Sequence, residues 1–191
     1  MRRALLALAL LFVSGCGSTP ASHFYTLSAL PTQAPAATSS DMSVAVGPVS
    51  VPITVDRPQI VVTLNSNLVW LDEFNRWASP LSYNIARVVA ENLVGMLGTP
   101  RVALSPRTLN GGVDYRAAVE VQRFESSPGE AATFDAVWTV SRDADNRSRT
   151  GRTTVRETIS DKSYDALAAA HSRAVGRLSR DIADAVQALH Q

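Results

Sequence analysis

The sequence predicts an α+β domain, a mostly antiparallel sheet with two helices packed on one face. Three observations predict it. Several segments of strand length alternate apolar and polar residues, and two longer segments repeat apolar residues every three or four positions. The order hairpin, helix, three strands, helix keeps the helices apart from most strands rather than alternating with them. The chain has 191 residues, 46% of them apolar and 18% charged, which suits one domain and is ample for a real core.

The elements follow in order. Phe24-Tyr25-Thr26-Leu27 is strand-like. Residues 29–41 are rich in Ala, Pro, Thr and Ser, and a mobile loop is expected there. Val44, Val46, Val49 and Val51 flank Gly47-Pro48, where the alternation changes parity. A bulge or kink is the natural cause, because proline cannot sit in a central ladder. Residues 59–64 form a dense apolar run, Asn65-Ser66-Asn67 turns the chain, and Leu68-Val69-Trp70-Leu71 returns as the hairpin partner.

The first helix is expected to be capped by Ser79, with Pro80 at its first position. Leu81, Ile85, Val88, Val89, Leu93 and Met96 keep one apolar face, and Gly98 and Pro100 end it. A short strand around residues 101–104 precedes the Asn110-Gly111-Gly112 turn. Tyr115, Ala117, Val119 and Val121 then alternate with Arg116, Glu120 and Gln122, and Phe134, Ala136, Trp138 and Val140 with Asp135 and Thr139. Residues 150–159 are Thr-rich and weaker, the expected edge strand. The longest helix, 164–189, places Tyr164, Leu167, His171, Val175, Leu178, Ile182, Val186 and Leu189 on one stripe. Arg177 with Asp181 and Arg180 with Asp184 lie one turn apart on its wet side.

The N-terminus reads as an address. Arg2 and Arg3 precede a short apolar run, and Val13-Ser14-Gly15-Cys16 ends it. That build is a secretory signal, residues 1–15, and it is too short to span a bilayer, which takes roughly 20 apolar residues. The ending resembles the bacterial lipobox, in which Cys16 is lipidated on sulfur and becomes the acylated first residue. A covalent diacylglyceryl group and an N-acyl chain of the palmitate type are therefore expected on Cys16, with residues 16–23 as a short tether to a single domain, 24–191. One acyl chain holds a protein weakly, at about 0.8 kcal/mol per buried CH₂, and three multiply the burial. Gly17 follows the cysteine in place of the Asp that resembles an inner-membrane retention signal, which points to the inner leaflet of an outer membrane, periplasmic face. Without Arg2 and Arg3 the 18 basic residues become 16 against 17 acidic, a charge of −1. Such a body has no electrostatic reason to hug an anionic surface.

Little in the chain invites catalysis. The near-zero charge without basic blocks argues against nucleic-acid binding, and one cysteine excludes an internal disulfide framework or multi-Cys metal site. His23 lies beside the anchor, His190 is penultimate where ends fray, and His171 sits on the apolar stripe as a boundary core residue. No nucleophile elbow, zinc-binding His-Glu-x-x-His or phosphate-cradling loop is present. Asp72 and Glu73 are strand neighbours that point to opposite faces, and the loop of Asp143 and Asp145 lacks the later ligands of a calcium site. No catalytic residue, metal or non-covalent cofactor is expected. What remains is surface: residues 70–77 concentrate aromatics that either fill the core or meet a partner. Trp70 is assigned to the core, and Phe74, Arg76 and Trp77 to a partner-facing patch.

In order along the chain, the lipobox, Phe24-Tyr25-Thr26-Leu27, Arg57-Pro58-Gln59-Ile60-Val61-Val62 and Trp77-Ala78-Ser79-Pro80-Leu81 are followed by Arg123-Phe124-Glu125 and Leu178-Ser179-Arg180-Asp181-Ile182-Ala183. Together these resemble the PqiC-type lipoproteins, auxiliary components of ABC-type or MCE-type intermembrane lipid transport systems. That family often has Glu where Ser79 stands, so this chain keeps a cap and lacks a charge. The resemblance implies a non-enzymatic outer-membrane lipoprotein that docks a periplasm-spanning MCE-type protein and supports envelope integrity, with homo-oligomerisation left open. Two alternatives stand beside it: an assembly chaperone for lipopolysaccharide or outer-membrane proteins, and a direct lipid carrier with an apolar cavity.

Overall fold

The computed structural model describes residues 20–31, 41–105 and 112–191. Along the chain run β1 (His23–Tyr25), β2 (Val44–Ser50), β3 (Gln59–Asn65), β4 (Leu68–Trp77), α1 (Leu81–Leu97), β5 (Val102–Leu104), β6 (Tyr115–Ser127), β7 (Ala131–Arg142), β8 (Ser148–Thr158) and α2 (Tyr164–His190). The class is α+β, as expected.

Strand β6 organises the sheet. Along one side it pairs antiparallel with β7, which pairs in turn with β8, the expected edge strand. Its other side is divided between two partners. The first half pairs parallel with β2 from Val44↔Tyr115 to Ser50↔Glu120, and Ser126 pairs parallel with Val62 of β3. Beyond β2 lies β5, and beyond β3 lie β4 and then β1, so the sheet forks. The sheet is therefore mixed rather than mostly antiparallel, since β1–β4, β2–β5, β2–β6 and β3–β6 are all parallel. Alternation in sequence tells which face a side chain takes and says nothing of strand direction. The expected irregularity at Gly47-Pro48 is present as a register shift between Val46 and Val49.

Both helices lie on the face to which β6 turns Tyr115, Ala117, Val119, Val121 and Phe124. Helix α1 buries Leu81, Ile85, Val88, Val89 and Leu93, all fully, and α2 buries Val175, Leu178, Ile182 and Val186. One start signal is shifted. The boundary residue of α1 is Pro80 (φ −48°, ψ 134°) with no side-chain cap, so Ser79 stands one position too early to reach the orphan N–H groups. At the other end Gly98 takes the left-handed conformation, φ 63°, as its place after Leu97 predicts. The start of α2 is capped by Ser163, whose hydroxyl accepts from the Ala166 N–H at 3.2 Å. Its far end does not fray as expected: His190 Nδ1 meets the Tyr115 hydroxyl at 3.0 Å, and Arg142 and Arg147 donate to the Leu189 carbonyl. Cations on the last carbonyls of a helix also complement its dipole.

The buried arc of α2 is wider than the apolar stripe, because residues 26–30 run as a strap over both helices. The Leu27 N–H and Thr26 hydroxyl donate to Asn84 Oδ1 of α1, the Ser28 N–H donates to Ser172 Oγ of α2, and the Leu30 N–H to Asn92 Oδ1. Asn92 in turn donates to Ser179 Oγ at 3.0 Å, which joins the two helices beneath the strap. Leu30 sits where a Cβ on Gly176 would be, 2.7 Å from its Cγ. Ser172, Gly176 and Ser179 are small for this reason. The start of the expected mobile loop, residues 29–31, is thus docked in part, and residues 32–40 lie outside the described residues.

Gly151 in β8 is fixed by an equally close approach, since a Cβ there would lie 2.2 Å from the Trp138 ring. Strand propensity alone favours valine over glycine at an edge position. Gly151→Val should nevertheless destabilise by roughly 1–3 kcal/mol, the usual cost of overpacking, measured by urea unfolding. Unchanged or increased stability would contradict this packing.

Candidate functional site

The aromatic segment of β4 changes character along its length. Trp70 is 58% exposed and Trp77 is 5% exposed, which reverses the expected assignments. Trp77 is held inward because its N–H donates to the Pro58 carbonyl at 2.7 Å and its ring meets Phe124 edge-on at 6.0 Å. It is therefore a core residue and no part of an exposed patch. Trp70 stands opposite Val62, close to the end of the β3–β4 hairpin, on a stretch of β4 that β1 does not flank. Hydrophobicity marks both rings as core, and only their place along β4, beside β1 or beyond it, separates them.

Between the two tryptophans the strand bulges. Register jumps from Gln59↔Arg76 to Ile60↔Asp72, which leaves three residues of β4 without a partner on β3. The Asp72 carboxylate holds this bulge, accepting from the Phe74 and Asn75 N–H groups at 2.9 Å and from the Tyr164 hydroxyl at 2.6 Å. Burial pushes the Asp72 carboxyl up, and these hydrogen bonds outweigh it and hold it below the usual range. Tyr25 of β1 donates to Asn75 and packs its ring against Tyr164 at 5.8 Å. What the bulge presents is Phe74 and Arg76. Phe74 is partly exposed, and Arg76 is turned back on Glu73, bonding its carbonyl at 2.8 Å. Phe24, the neighbour of Arg76 across the β1–β4 pair, is largely exposed. Of the three expected partner-facing residues, two lie on this surface and Phe24 joins them. Cys16 lies outside the described residues.

The one buried histidine is built into the core. His171 is fully buried, stacks on Phe124 at 3.7 Å with 10° between the rings, and shares a hydrogen bond with Ser126 at 2.9 Å. Burial alone lowers its pKa to about 3, so it is neutral across the physiological range. Its Nδ1 has no partner among the described residues, and no carboxylate orients the ring. Asp135, the buried carboxylate of the opposite sheet face, is held below its usual range by hydrogen bonds from Arg152. These groups are spent on structure. No three His, Cys, Asp or Glu side chains converge among the described residues.

Two grooves open on the helical face. One of about 660 Å³ lies between α1 and the β2–β5 pair, bounded by Pro48, Tyr83, Ala86, Val102 and Leu104. Another of about 540 Å³ lies beside the strap, bounded by Leu30, Glu91, Asn92, Met96 and Arg180. Both open to solvent. Beneath them the core is filled by Leu81, Ile85, Leu93, Phe134, Leu178 and Ile182, each at 0% exposure. Among the described residues, no helix is long and apolar enough to cross a membrane.

Residues 25–183 match the family model described as the ABC-type transport auxiliary lipoprotein component. No curated protein matches the sequence. Two solved structures share the fold. Protein XCC0632 from Xanthomonas campestris, a family DUF330 protein, superposes with a TM-score of 0.66 at 22% identity, over 88% of this chain and 98% of that one. An uncharacterised protein superposes with a TM-score of 0.70 at 18% identity, over 87% and 99%.

The two tryptophans should separate cleanly on truncation. Trp77→Ala should cost about 3–5 kcal/mol, whereas Trp70→Ala should stay within about 0.5 kcal/mol of the parent. Chemical denaturation reads both, and equal losses would contradict the assignment. His171 should make stability fall with acid. Its folded pKa is depressed below 6.5, so below that pH the unfolded chain binds a proton that the folded chain refuses. Stability should drop by about 2 kcal/mol from pH 7 to pH 5 through this group and continue falling toward about pH 3. His171→Gln should flatten that slope in urea titrations, and an unchanged slope would contradict a buried neutral imidazole.

Proposed function

Because the chain belongs to the ABC-type transport auxiliary lipoprotein component family, we propose that it is the outer-membrane-anchored lipoprotein subunit of an MCE-type intermembrane lipid transport system. Its role there is to dock the periplasm-spanning component and so support envelope integrity. The observation that carries this reading is the family match over residues 25–183, set immediately behind a lipobox-like leader whose Cys16 is the only cysteine. Cys16 carries a diacylglyceryl group through its sulfur and an acyl chain on its freed amine. Six residues separate it from β1, a reach of roughly 25 Å at most from Cys16 to His23, so the folded body stays near the leaflet.

The work of such a subunit is positional. An anchored domain confines the tip of its partner to a thin layer, and a short tether raises effective concentration into the millimolar range without further contacts. The contact itself falls on the β1–β4 edge, where Phe24 and Phe74 offer aromatic area and Arg76 a cation. Aromatic and arginine side chains are the ones enriched in binding hot spots. The role calls for no catalysis, which suits a protein whose buried histidine and carboxylates are committed to packing and ion pairs. A filled core with grooves open to solvent favours docking over carriage of a lipid through the domain.

Affinity capture of the full-length chain from its own envelope tests this. The lipidated chain should recover an MCE-type periplasm-spanning protein from the outer-membrane fraction. Cys16→Ala should move the chain out of that fraction and reduce the recovered partner at least tenfold. Undiminished complex at the outer membrane in the Cys16→Ala strain would overturn the reading.

A further inference from the structure

The end of the β3–β4 hairpin is a second apolar feature, separate from the Phe74 and Arg76 surface. Leu64, Leu68, Val69 and Trp70 are each more than half exposed; the first three lie on the tip, and Trp70, opposite Val62, lies at its base. The sheet does not support that tip. Parallel β3 and β6 meet only at Val62↔Ser126, β6 ends one residue later, and β3 runs on to Asn65. At about 3.3 Å per residue the hairpin stands roughly 10 Å proud of the sheet. Residues 58–71 carry no charged side chain, in a chain that has 18 basic and 17 acidic residues. The turn itself is amide and hydroxyl, Asn65-Ser66-Asn67, with the Asn67 N–H donating to Asn65 Oδ1.

The direction of β1 decides what this tip meets. His23 pairs with Asn75, Phe24 with Arg76 and Tyr25 with Trp77, all parallel. Following β1 backwards therefore follows β4 backwards, toward Leu68. The chain that leads from Cys16 enters the domain from the hairpin side. Six residues lie between Cys16 and His23, and the same number between Leu68 and Asn75. That spacing is long enough for an anchor at Cys16 to lie level with the tip.

We propose that the β3–β4 hairpin tip inserts Leu64, Leu68, Val69 and Trp70 into the interfacial layer of the bilayer that holds the Cys16 lipid. This rests on the anchoring reading above. A projection of roughly 10 Å matches the depth at which interfacial segments lie, about 5–10 Å into the headgroup and acyl boundary. Tryptophan concentrates at that boundary because its ring is apolar and its N–H finds water or headgroup oxygen. Uncharged flanks matter equally, since carrying an ionised side chain into the layer would oppose insertion. A protein interface has no such need to exclude charge along a whole hairpin. The lipid and the tip together give two points of attachment. Two points fix the tilt of the domain, which a lipid on a flexible tether cannot do.

Tryptophan quenching by brominated lipid tests the insertion. The full-length chain, processed in cells and purified in detergent, is reconstituted into phosphatidylcholine vesicles with bromine near the top of the acyl chains. Trp77 is shielded in the core and Trp138 is packed on Gly151, so only Trp70 can meet bromine. Emission should fall by about a third relative to plain vesicles, the share of one tryptophan in three. The fall should vanish in Trp70→Phe. It should also vanish in Val69→Asp, which keeps Trp70 and lies at an exposed position that leaves the melting temperature unchanged. Mass spectrometry of the N-terminal peptide reads the anchor separately. Acylated Cys16 with no quenching, as a tip covered by a second copy would give, overturns the insertion and leaves the anchor standing. A peptide without acyl groups overturns both.

Discussion

Hydrogen bonds from three successive stretches of one short strap fix the relation between the N-terminus and the rest of the molecule. Leu27, Ser28 and Leu30 give their N–H groups to Asn84 of α1, Ser172 of α2 and Asn92 of α1 in turn, and Arg87 closes the arrangement by donating to the Leu27 carbonyl. Leu27 is fully buried beneath it. A strap of backbone laid over helices would leave its N–H groups unpaired, at a cost of about 1–3 kcal/mol each, unless side chains reach up to accept them. The two buried asparagines and the serine meet that requirement. Because the strap is bound on both helices, β1 is bound too, and the tether of the domain begins at a fixed point rather than at the end of a loose tail.

That fixed point gives the remaining surface its meaning. Parallel pairing of β1 with β4 brings the tether in along the hairpin, so the unsupported tip and the N-terminal chain share one end of the molecule. The Asp72 bulge then divides β4 into two. Before it the strand pairs with β3 alone and exposes Trp70, and after it the strand lies between β3 and β1 and buries Trp77. Phe74 and Arg76 lie at the dividing point, turned sideways by the carboxylate that accepts from Phe74, Asn75 and Tyr164. The exposed hairpin end and the Phe74 and Arg76 surface thus adjoin on one strand.

Much of the fold was legible in the residues because its signals are local. Helical stripes, the Gly98 stop, the Asn65-Ser66-Asn67 turn, the irregularity at Gly47-Pro48 and the weak edge strand each depend on neighbours within a few positions. What was not legible is set at long range. Nothing near β1 or β2 fixes their direction, so the parallel pairs were missed. Ser79 and Pro80 share the features of a cap and a first helical residue, and one residue of register decided against that assignment. Trp70 and Trp77 are chemically alike, and only their place along β4, away from β1 or beside it, makes one of them surface. Asn84, Asn92, Ser172 and Gly176 read as imperfections in two apolar helices. They are instead the strap's binding site, and their grouping one turn or two apart was the available clue.

Amide hydrogen exchange tests the strap most directly. The account predicts that the amides of Leu27, Ser28 and Leu30 exchange as slowly as those of the β6–β7 ladder. Exchange at the rate of an unstructured peptide would detach β1 from its fixed entry and contradict the account at its root.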